Sequence, residues 1–290
     1  MNIFCTGNKT KKNFFECIRK LYEITSQFNH QLHLDNKLID GGEVIDFDNI
    51  IYSSLNDTTK LYDLVISIGG DGALLHTIRL MKEKQIPVLG IHIGNLGFLN
   101  QINNIEISKS LSNLFSMKKI SYQKFNLIEA NVISNTHSIS LLALNDIVIN
   151  HGNLLRLIKM RVNLGETVLN DYSCDGIIFS TSLGSTAYSL SAGGPIVSPE
   201  IGTMVITPVS AHSLSSRPIV LSDQCKINVK FLQEYSKVNI TADGQEQHTI
   251  DSNARIIIKK SKVHVKLIKF DGMENYYSRL KNKLNWIGKN

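Results

Sequence analysis

The hydrophobic pattern of this 290-residue chain changes at about Ser121, and that change limits the fold more than any single motif does. Upstream, apolar runs alternate with stretches of helical period. Met1 to Thr6 reads as a short strand; Phe14, Ile18, Leu21, Ile24 and Phe28 then recur at helical spacing. Leu64–Ile68 is another strand, Ala73–Met81 suits a helix, and Ile86–Ile91 is a further buried strand. Such alternation builds a parallel sheet with helices against it. Residues 30–60 are polar and irregular, and no element is expected there. Downstream, strand-like runs dominate: 125–134, 138–149, 157–164, 176–180, 218–220, 225–231, 237–242, 255–259 and 263–269. Four of the five prolines fall between Pro195 and Pro218, which predicts a bent, loop-rich connection. The expected fold is an α/β N-terminal domain over residues 1–120, a parallel sheet with helices. An all-β-rich C-terminal domain follows over 121–271.

Two segments carry chemistry. The strand at Leu64–Ile68 runs directly into Gly69-Gly70-Asp71-Gly72 and then into a helix. Strand, glycine turn and helix start together place backbone N–H groups beside an anion. The sequence matches neither the dinucleotide fingerprint nor the P-loop. Its unusual member is Asp71, which would repel a phosphate unless it binds a metal, takes a proton from a substrate hydroxyl, or caps the helix. The second segment is DGIIFSTSLGSTAYSLSAGGP, Asp175 to Pro195. Here Ser180, Thr181, Ser182, Ser185, Thr186, Tyr188, Ser189 and Ser191 supply uncharged hydrogen-bonding groups, with Gly184, Gly193 and Gly194 allowing close approach. That composition suits a surface wrapped around a polar, phosphate-bearing small molecule; a Ser/Gly-rich turn between strands is the plainer alternative. Between the two, His92–Leu99 follows a strand and has two glycines where ligands bind in open parallel sheets.

Taken in order, GGDG, Asn145-Asp146 in ALNDIVI and DG-x4-T-x2-GSTAYSLSAGGP resemble the NAD kinase family. The resemblance runs from about residue 60 to the end. It includes Ile206–Leu214, Ser216-Arg217-Pro218, Asp243-Gly244-Gln245 and Arg279-Leu280 with Lys283–Trp286. It implies phosphoryl transfer from a nucleoside triphosphate such as ATP to the 2′-hydroxyl of the adenosine ribose of NAD, giving NADP. It also implies a C-terminal tail, about 272–290, packed back on the first domain. By position it assigns Asp71 as proton acceptor, with Gly69, Gly70 and Gly72 allowing phosphate approach. Asn145 and Asp146 match a ribose-hydroxyl reader, and His76 a basic or hydrogen-bonding position beside the dinucleotide. Arg156, Ser173, Asp175 and the segment Thr186, Ala187, Tyr188, Ser189, Leu190 and Ser191 match further NAD-binding positions, with Gln245 a weaker one. Mg²⁺ is expected through the nucleotide phosphates rather than a protein cage. Homodimers or homotetramers, built mainly through the second domain, are the implied assembly.

The chain departs from the family pattern at four places. Ala73 replaces the threonine after GGDG, Asp146 the usual glutamate, Ser182-Leu183 a Pro-Thr pair, and Phe125 an arginine. Two rivals share part of the pattern. A diacylglycerol-type lipid kinase has GGDG but leaves the serine-rich block unexplained. A non-catalytic dinucleotide sensor would use the same cradle without turnover.

Composition narrows the setting. With 42% hydrophobic and 19% charged residues, the chain reads as globular. No apolar run approaches a membrane span, the apolar run within MNIFCTGNKTKK is too short for an export signal, and Cys5, Cys17, Cys174 and Cys225 lack metal-ligand spacing. A cytoplasmic protein with reduced thiols is expected. From Ser252 onward ten Lys/Arg face only Asp271 and Glu274. The stretch IIIKKSKVHVKLIKF alternates like a strand with one wet face and lacks an aromatic ladder, so nucleic acid is not the expected partner.

Overall fold

In the computed structural model the chain is described at residues 1–39, 50–57, 61–94, 97–134, 138–152, 157–213, 215–235, 237–270 and 276–286. It divides into two compact units, Met1–Lys124 with Val265–Asn290, and Phe125–His264.

The first unit runs β1 (Asn2–Gly7), α1 (Phe14–Gln27), β2 (Gln31–Asp35), β3 (Ile51–Ser53), β4 (Leu64–Gly69), α2 (Asp71–Met81), β5 (Val88–His92), β6 (Ile102–Asn103) and α3 (Ile107–Ser116). Its strands pair in the order β3-β2-β1-β4-β5, with β6 beside β5, and all these pairings are parallel. Every residue of β4 and β5 is buried, as their unbroken apolar runs require. Helix α1 turns Phe14, Ile18, Leu21 and Ile24 toward the same core as Ile3, Leu34 and Ile66. The strand order reverses between β1 and β4, where an open parallel sheet leaves a crevice beyond the carboxyl ends of its strands.

One expectation is corrected here. Residues 30–60 are not irregular throughout: Gln31–Asp35 forms β2, with Leu32, His33, Leu34 and Asp35 buried, and Ile51–Ser53 forms β3. Two leucines in five residues leave little periodic signal. The strand is held by its place between β1 and β3.

The second unit is built from all but the first three residues of β7 (Tyr122–Ile133), β8 (Ser138–Ala143), β9 (Asp146–His151), β10 (Ile158–Leu164), β11 (Thr167–Cys174), β12 (Gly176–Thr181), the single turn α4 (Tyr188–Ser191), β13 (Thr203–Val209), β14 (Ile219–Ser222), β15 (Ile227–Phe231), β16 (Val238–Ala242), β17 (Glu246–Ile250) and the first part of β18 (Arg255–Ile268). Six strands form an antiparallel sheet in the order β14-β13-β12-β9-β16-β17. A second layer pairs β11, β10, β15 and β18 antiparallel, with β7 joining β18 and β8. Tyr172, Ile177, Phe179, Ile240 and Ile256 lie in the core of this unit.

The proline-rich stretch is also corrected. It contains a regular strand, β13, despite Pro208. Val209 accepts a bond from Asp175 on the β12 side, so Pro208 turns its missing donor the other way, where β14 pairs only Thr203–Ile206.

Leaving the second unit, β18 ends with Leu267 paired in parallel to Val88 of β5, and α5 (Tyr276–Leu284) follows. Burial raises the thiol of Cys17 to about 11 and that of Cys174 to about 12, so both stay protonated. Among the described residues no helix is long and apolar enough to cross a membrane.

Candidate active site

Strands β4 and β5 are in register with Gly69 beside His92, so the segments that leave them emerge side by side. From β4 comes the glycine turn and α2; from β5 comes the segment 93–101, tied back by Ile93 N to Gly69 O (3.1 Å) and Gln101 N to Gly90 O (2.9 Å). Asp71 is the first residue of α2, and Gly70 occupies the cap position. Its carboxylate does not cap the helix. It accepts the backbone N–H of Phe98 at Oδ2 (2.7 Å). At Oδ1 it accepts those of Leu99 (3.2 Å) and Asn100 (3.4 Å) and the Asn100 side-chain amide (2.9 Å). Gly97 lies against the same carboxylate, where a Cβ would collide with it. Three of the four donors fall on Oδ1, which leaves a lone pair on Oδ2 for an incoming hydroxyl. Thr77 fastens the helix to the sheet, its hydroxyl donating to Ala73 O (2.8 Å) and hydrogen-bonded to the Ser67 hydroxyl (2.9 Å). His92 is buried nearby with its Nδ1 unpartnered, and burial lowers its pKa against the opposing pull of the Gly94 carbonyl and Asp71.

A cleft of about 370 Å³ opens at the reversal of strand order. Thr6, Gly7, Asn8 and Lys9 line it from the end of β1, Asp35, Lys37 and Leu38 from the end of β2, and Gly72, Ala73, His76 and Thr77 from α2. Asp35 is buried, and its carboxylate accepts Thr6 Oγ1 (2.8 Å) and Lys37 N (3.1 Å). His76 accepts Arg79 Nη2 at Nδ1 (3.0 Å). Partial burial, then Arg79 and Lys37, lowers its pKa, so at neutral pH the ring is neutral and offers an Nε2 donor.

In the second unit the Asn145-Asp146 pair sits where β8 hands over to β9. One carboxylate shapes that turn: Asp243 accepts the backbone N–H of Leu144 (3.0 Å), Asn145 (2.7 Å) and Asp146 (3.1 Å). Thr181 secures the other side, donating to Leu144 O (2.6 Å) while accepting Gly184 N (2.9 Å). Gly184 presses against the Asn145 backbone so tightly that a Cβ has no room. Asp146 is buried, and desolvation, then the charge of Asp243, raises its pKa to about 7 against a hydrogen bond from the Tyr188 backbone.

The serine-rich block is divided between fold and surface. Ser185 Oγ donates to Ser182 O (2.7 Å), Ser182 Oγ to Pro199 O (3.3 Å), and Ser189 shares a hydrogen with Thr207 (2.8 Å); Ser185 and Ser189 are fully buried. Much of the hydroxyl density therefore brackets the 181–197 turn, because a tight turn without regular pairing needs side chains for its buried backbone groups. Tyr188 and Ser191 are exposed, and Thr186, Ala187 and Leu190 half-buried, on the outer side of the same turn. Ser173 is half-buried on β11, and Asp175 is exposed just before β12. Gln245 is exposed in the β16–β17 turn. Arg156 lies outside the described residues. Reading the sequence missed Gly97, Asn100 and Asp243 as residues that seat the marked side chains; the glycine-containing stretch after β5 was the only signal for the first two.

Among the described residues no three His, Cys, Asp or Glu side chains gather to hold a metal. Residues 7–120 match the family of ATP-NAD kinase N-terminal domains and residues 144–270 that of ATP-NAD kinase C-terminal domains. An NAD kinase of Wigglesworthia glossinidia brevipalpis is 34% identical over 273 residues, covering 93% of this chain and 90% of that one. One from Caldanaerobacter subterraneus is 38% identical over 230 residues, 79% of this chain and 81% of that one. In fold, yeast NADH kinase complexed with NADH aligns over 100% of this chain and 89% of its own, at TM-score 0.85 and 24% identity. An NAD kinase from Archaeoglobus fulgidus in complex with ATP aligns over 99% and 100%, at TM-score 0.77 and 23% identity. With both domain families matched in order, and a relative at this identity spanning nearly its whole length, the chain belongs to the NAD kinase family.

Proposed function

We propose that the chain transfers the terminal phosphoryl group of ATP to the 2′-hydroxyl of the adenosine ribose of NAD, giving NADP and ADP. The observation that carries this reading is the Asp71 carboxylate, seated by four donors in a phosphate-type turn with a lone pair of Oδ2 to spare. As the ribose oxygen bonds to phosphorus and the bond to ADP breaks, the hydroxyl proton passes to Oδ2. A positioned base contributes about 10²–10⁴ in rate, and orientation and charge stabilisation supply the rest.

The cleft between the end of β1 and α2 suits the triphosphate. Lys9 and Lys37 bring positive charge, and Gly72 and Ala73 present little bulk. Mg²⁺ would be held through the nucleotide phosphates at this cleft, where it would supply neutralising charge. NAD recognition falls to His76, Asn145, Asp146, Arg156, Ser173, Asp175, Thr186–Ser191 and Gln245, with Ser189 contributing main chain, since its hydroxyl is already shared with Thr207. The division of labour is residues 1–120 with the tail 272–290 for catalysis, and 121–271 for NAD. The protein works in the cytoplasm as a homodimer or homotetramer joined through the second unit, whose edge strand β14 exposes Val220. Light scattering at working concentration tests that assembly.

The decisive test is NADP formation from NAD and ATP by the parent and Asp71→Asn. The variant keeps the shape of the side chain while removing its basicity. It is expected to bind NAD and to lose most turnover; near-normal kcat would refute Asp71 as proton acceptor.

A further inference from the structure

Helix α5 brings three side chains to one short segment of backbone. Tyr276, Arg279 and Lys283 are spaced by three and four residues and so share one face of the helix. Lys283 Nζ lies 4.9 Å from the centroid of the Phe98 ring, and the ring of Tyr276 lies 6.5 Å from it. Arg279 Nη1 donates to Phe98 O (3.0 Å) and to Asn100 O (2.9 Å). Leu280, 4% exposed, fixes the helix in the core.

These contacts fall on the same residues that hold Asp71. The carbonyl of Phe98 and the N–H of Leu99 belong to one peptide unit. Arg279 therefore grips the carbonyl of a peptide whose N–H donates to the Asp71 carboxylate. A cation on one end and an anion on the other polarise a hydrogen-bonded peptide in the same sense, strengthening both bonds. The second carbonyl, Asn100 O, is held while the Asn100 N–H and side-chain amide face Asp71. No helix or sheet ladder fixes residues 97–100 in place; apart from the Asp71 bonds themselves and the side-chain contacts of Phe98 with Lys283 and Tyr276, the strip's backbone is held by the guanidinium, by Gln101 and by the buried Asn100 side chain.

We propose that Arg279 is a positioning residue for phosphoryl transfer, holding the Phe98–Asn100 backbone that aims the Asp71 carboxylate. It acts through that backbone rather than on a substrate atom. The inference rests on Asp71 as the proton acceptor, and the experiment separates the two. Steady-state NADP formation is measured for the parent, Arg279→Ala, Arg279→Lys, Asp71→Asn and the double variant, with thermal unfolding of each. Arg279→Ala is expected to lower kcat by about tenfold to a hundredfold, as expected for removing a charged donor from a buried acceptor. Its KM values for NAD and ATP should stay within about threefold. Arg279→Lys, which keeps a charged donor, should recover part of the loss. In the Asp71→Asn background, Arg279→Ala should add almost nothing, because the two act as one unit.

Multiplying losses in the double variant, or a KM rise that matches the fall in kcat, would overturn the proposal and make Arg279 a structural anchor only. Unchanged kcat in Arg279→Ala would overturn it outright. Should Arg279→Ala not fold, Arg279→Lys and its double variant carry the same comparison. A normal kcat in Asp71→Asn would refute the reading of Asp71 itself, independently of Arg279.

Discussion

Gly97→Ala is the most direct challenge to the geometry at Asp71. An alanine Cβ there would lie closer than 3.0 Å to Cγ, Oδ1 and Oδ2 of Asp71, where ordinary contact begins at 3.4 Å. Either the carboxylate or the strip 97–100 must give by more than about 1 Å, and misplacement of even 1 Å costs about 10² in rate. Neither can yield freely. Retreat of Asp71 stretches the 2.7 Å bond from Phe98 N, and retreat of the strip pulls Phe98 O and Asn100 O from Arg279. The expected outcome is a fall in kcat of about a hundredfold, equivalent to about 2.7 kcal/mol of barrier. Stability should fall by about 1–3 kcal/mol, the cost of a weakened charged hydrogen bond.

The assay couples NADP to an NADP-specific dehydrogenase and follows absorbance, with NAD affinity from calorimetry. Affinity should change little, because the residues proposed to read NAD in the second unit are untouched. A folded Gly97→Ala protein with kcat within threefold of the parent would show that the carboxylate need not sit where this structure places it. An equal loss of affinity and turnover would show that the strip itself contacts NAD.

Two further outcomes follow from the second unit. Gly184→Ala removes the close approach of residue 184 to the Asn145 backbone, so it should raise KM for NAD at least tenfold and leave KM for ATP within about threefold; equal changes would deny Asn145 a recognition role. Asp146, its pKa raised to about 7, binds a proton in the fold that the unfolded chain has already lost, so stability should fall as pH rises from about 4 to about 7. Denaturant titrations across that window should show the fall in the parent and a flatter profile in Asp146→Asn.

What the sequence made legible was whatever a local pattern carries. Leu64–Ile68 reads as a strand because all of it is apolar, and α1 because Phe14, Ile18, Leu21 and Ile24 share one face. Strand β2 was not legible, because only Leu32 and Leu34 mark it and its place comes from neighbours distant in sequence. Strand β11, with Thr167, Asn170, Asp171 and Ser173, pairs β10 along one edge and keeps a wet face, so hydropathy hides it. Asp71 could be marked from its glycine turn, but the four donors that seat it lie 27 to 29 residues on, which no local spacing reveals. The serine block was legible as a dense polar turn. Which hydroxyls face inward depends on partners such as Thr207 and Val197, contributed from outside the 180–191 run.

The departures from the family pattern look different once the hydrogen bonds are traced. In Thr181-Ser182-Leu183-Gly184 the first and last residues are retained, and those two hold Asn145: Thr181 through Leu144 O and Gly184 N, Gly184 by having no side chain. The substituted middle pair only packs the turn, Ser182 bonding Pro199 O and Leu183 lying 6% exposed. The motif can therefore change there without moving Asn145. Asp146 differs in kind. One methylene shorter than glutamate, its carboxyl stays inside, close enough to Asp243 for the two charges to repel. Since Asp243 spends its oxygens on three backbone amides, that repulsion falls on Asp146, the residue proposed to read the ribose. A bound hydroxyl that donates to Asp146 would favour its charged form, so NAD binding should release protons near pH 7. Calorimetry in buffers of different ionisation enthalpy measures that release, and zero release at pH 6.5 would place the ribose hydroxyl elsewhere.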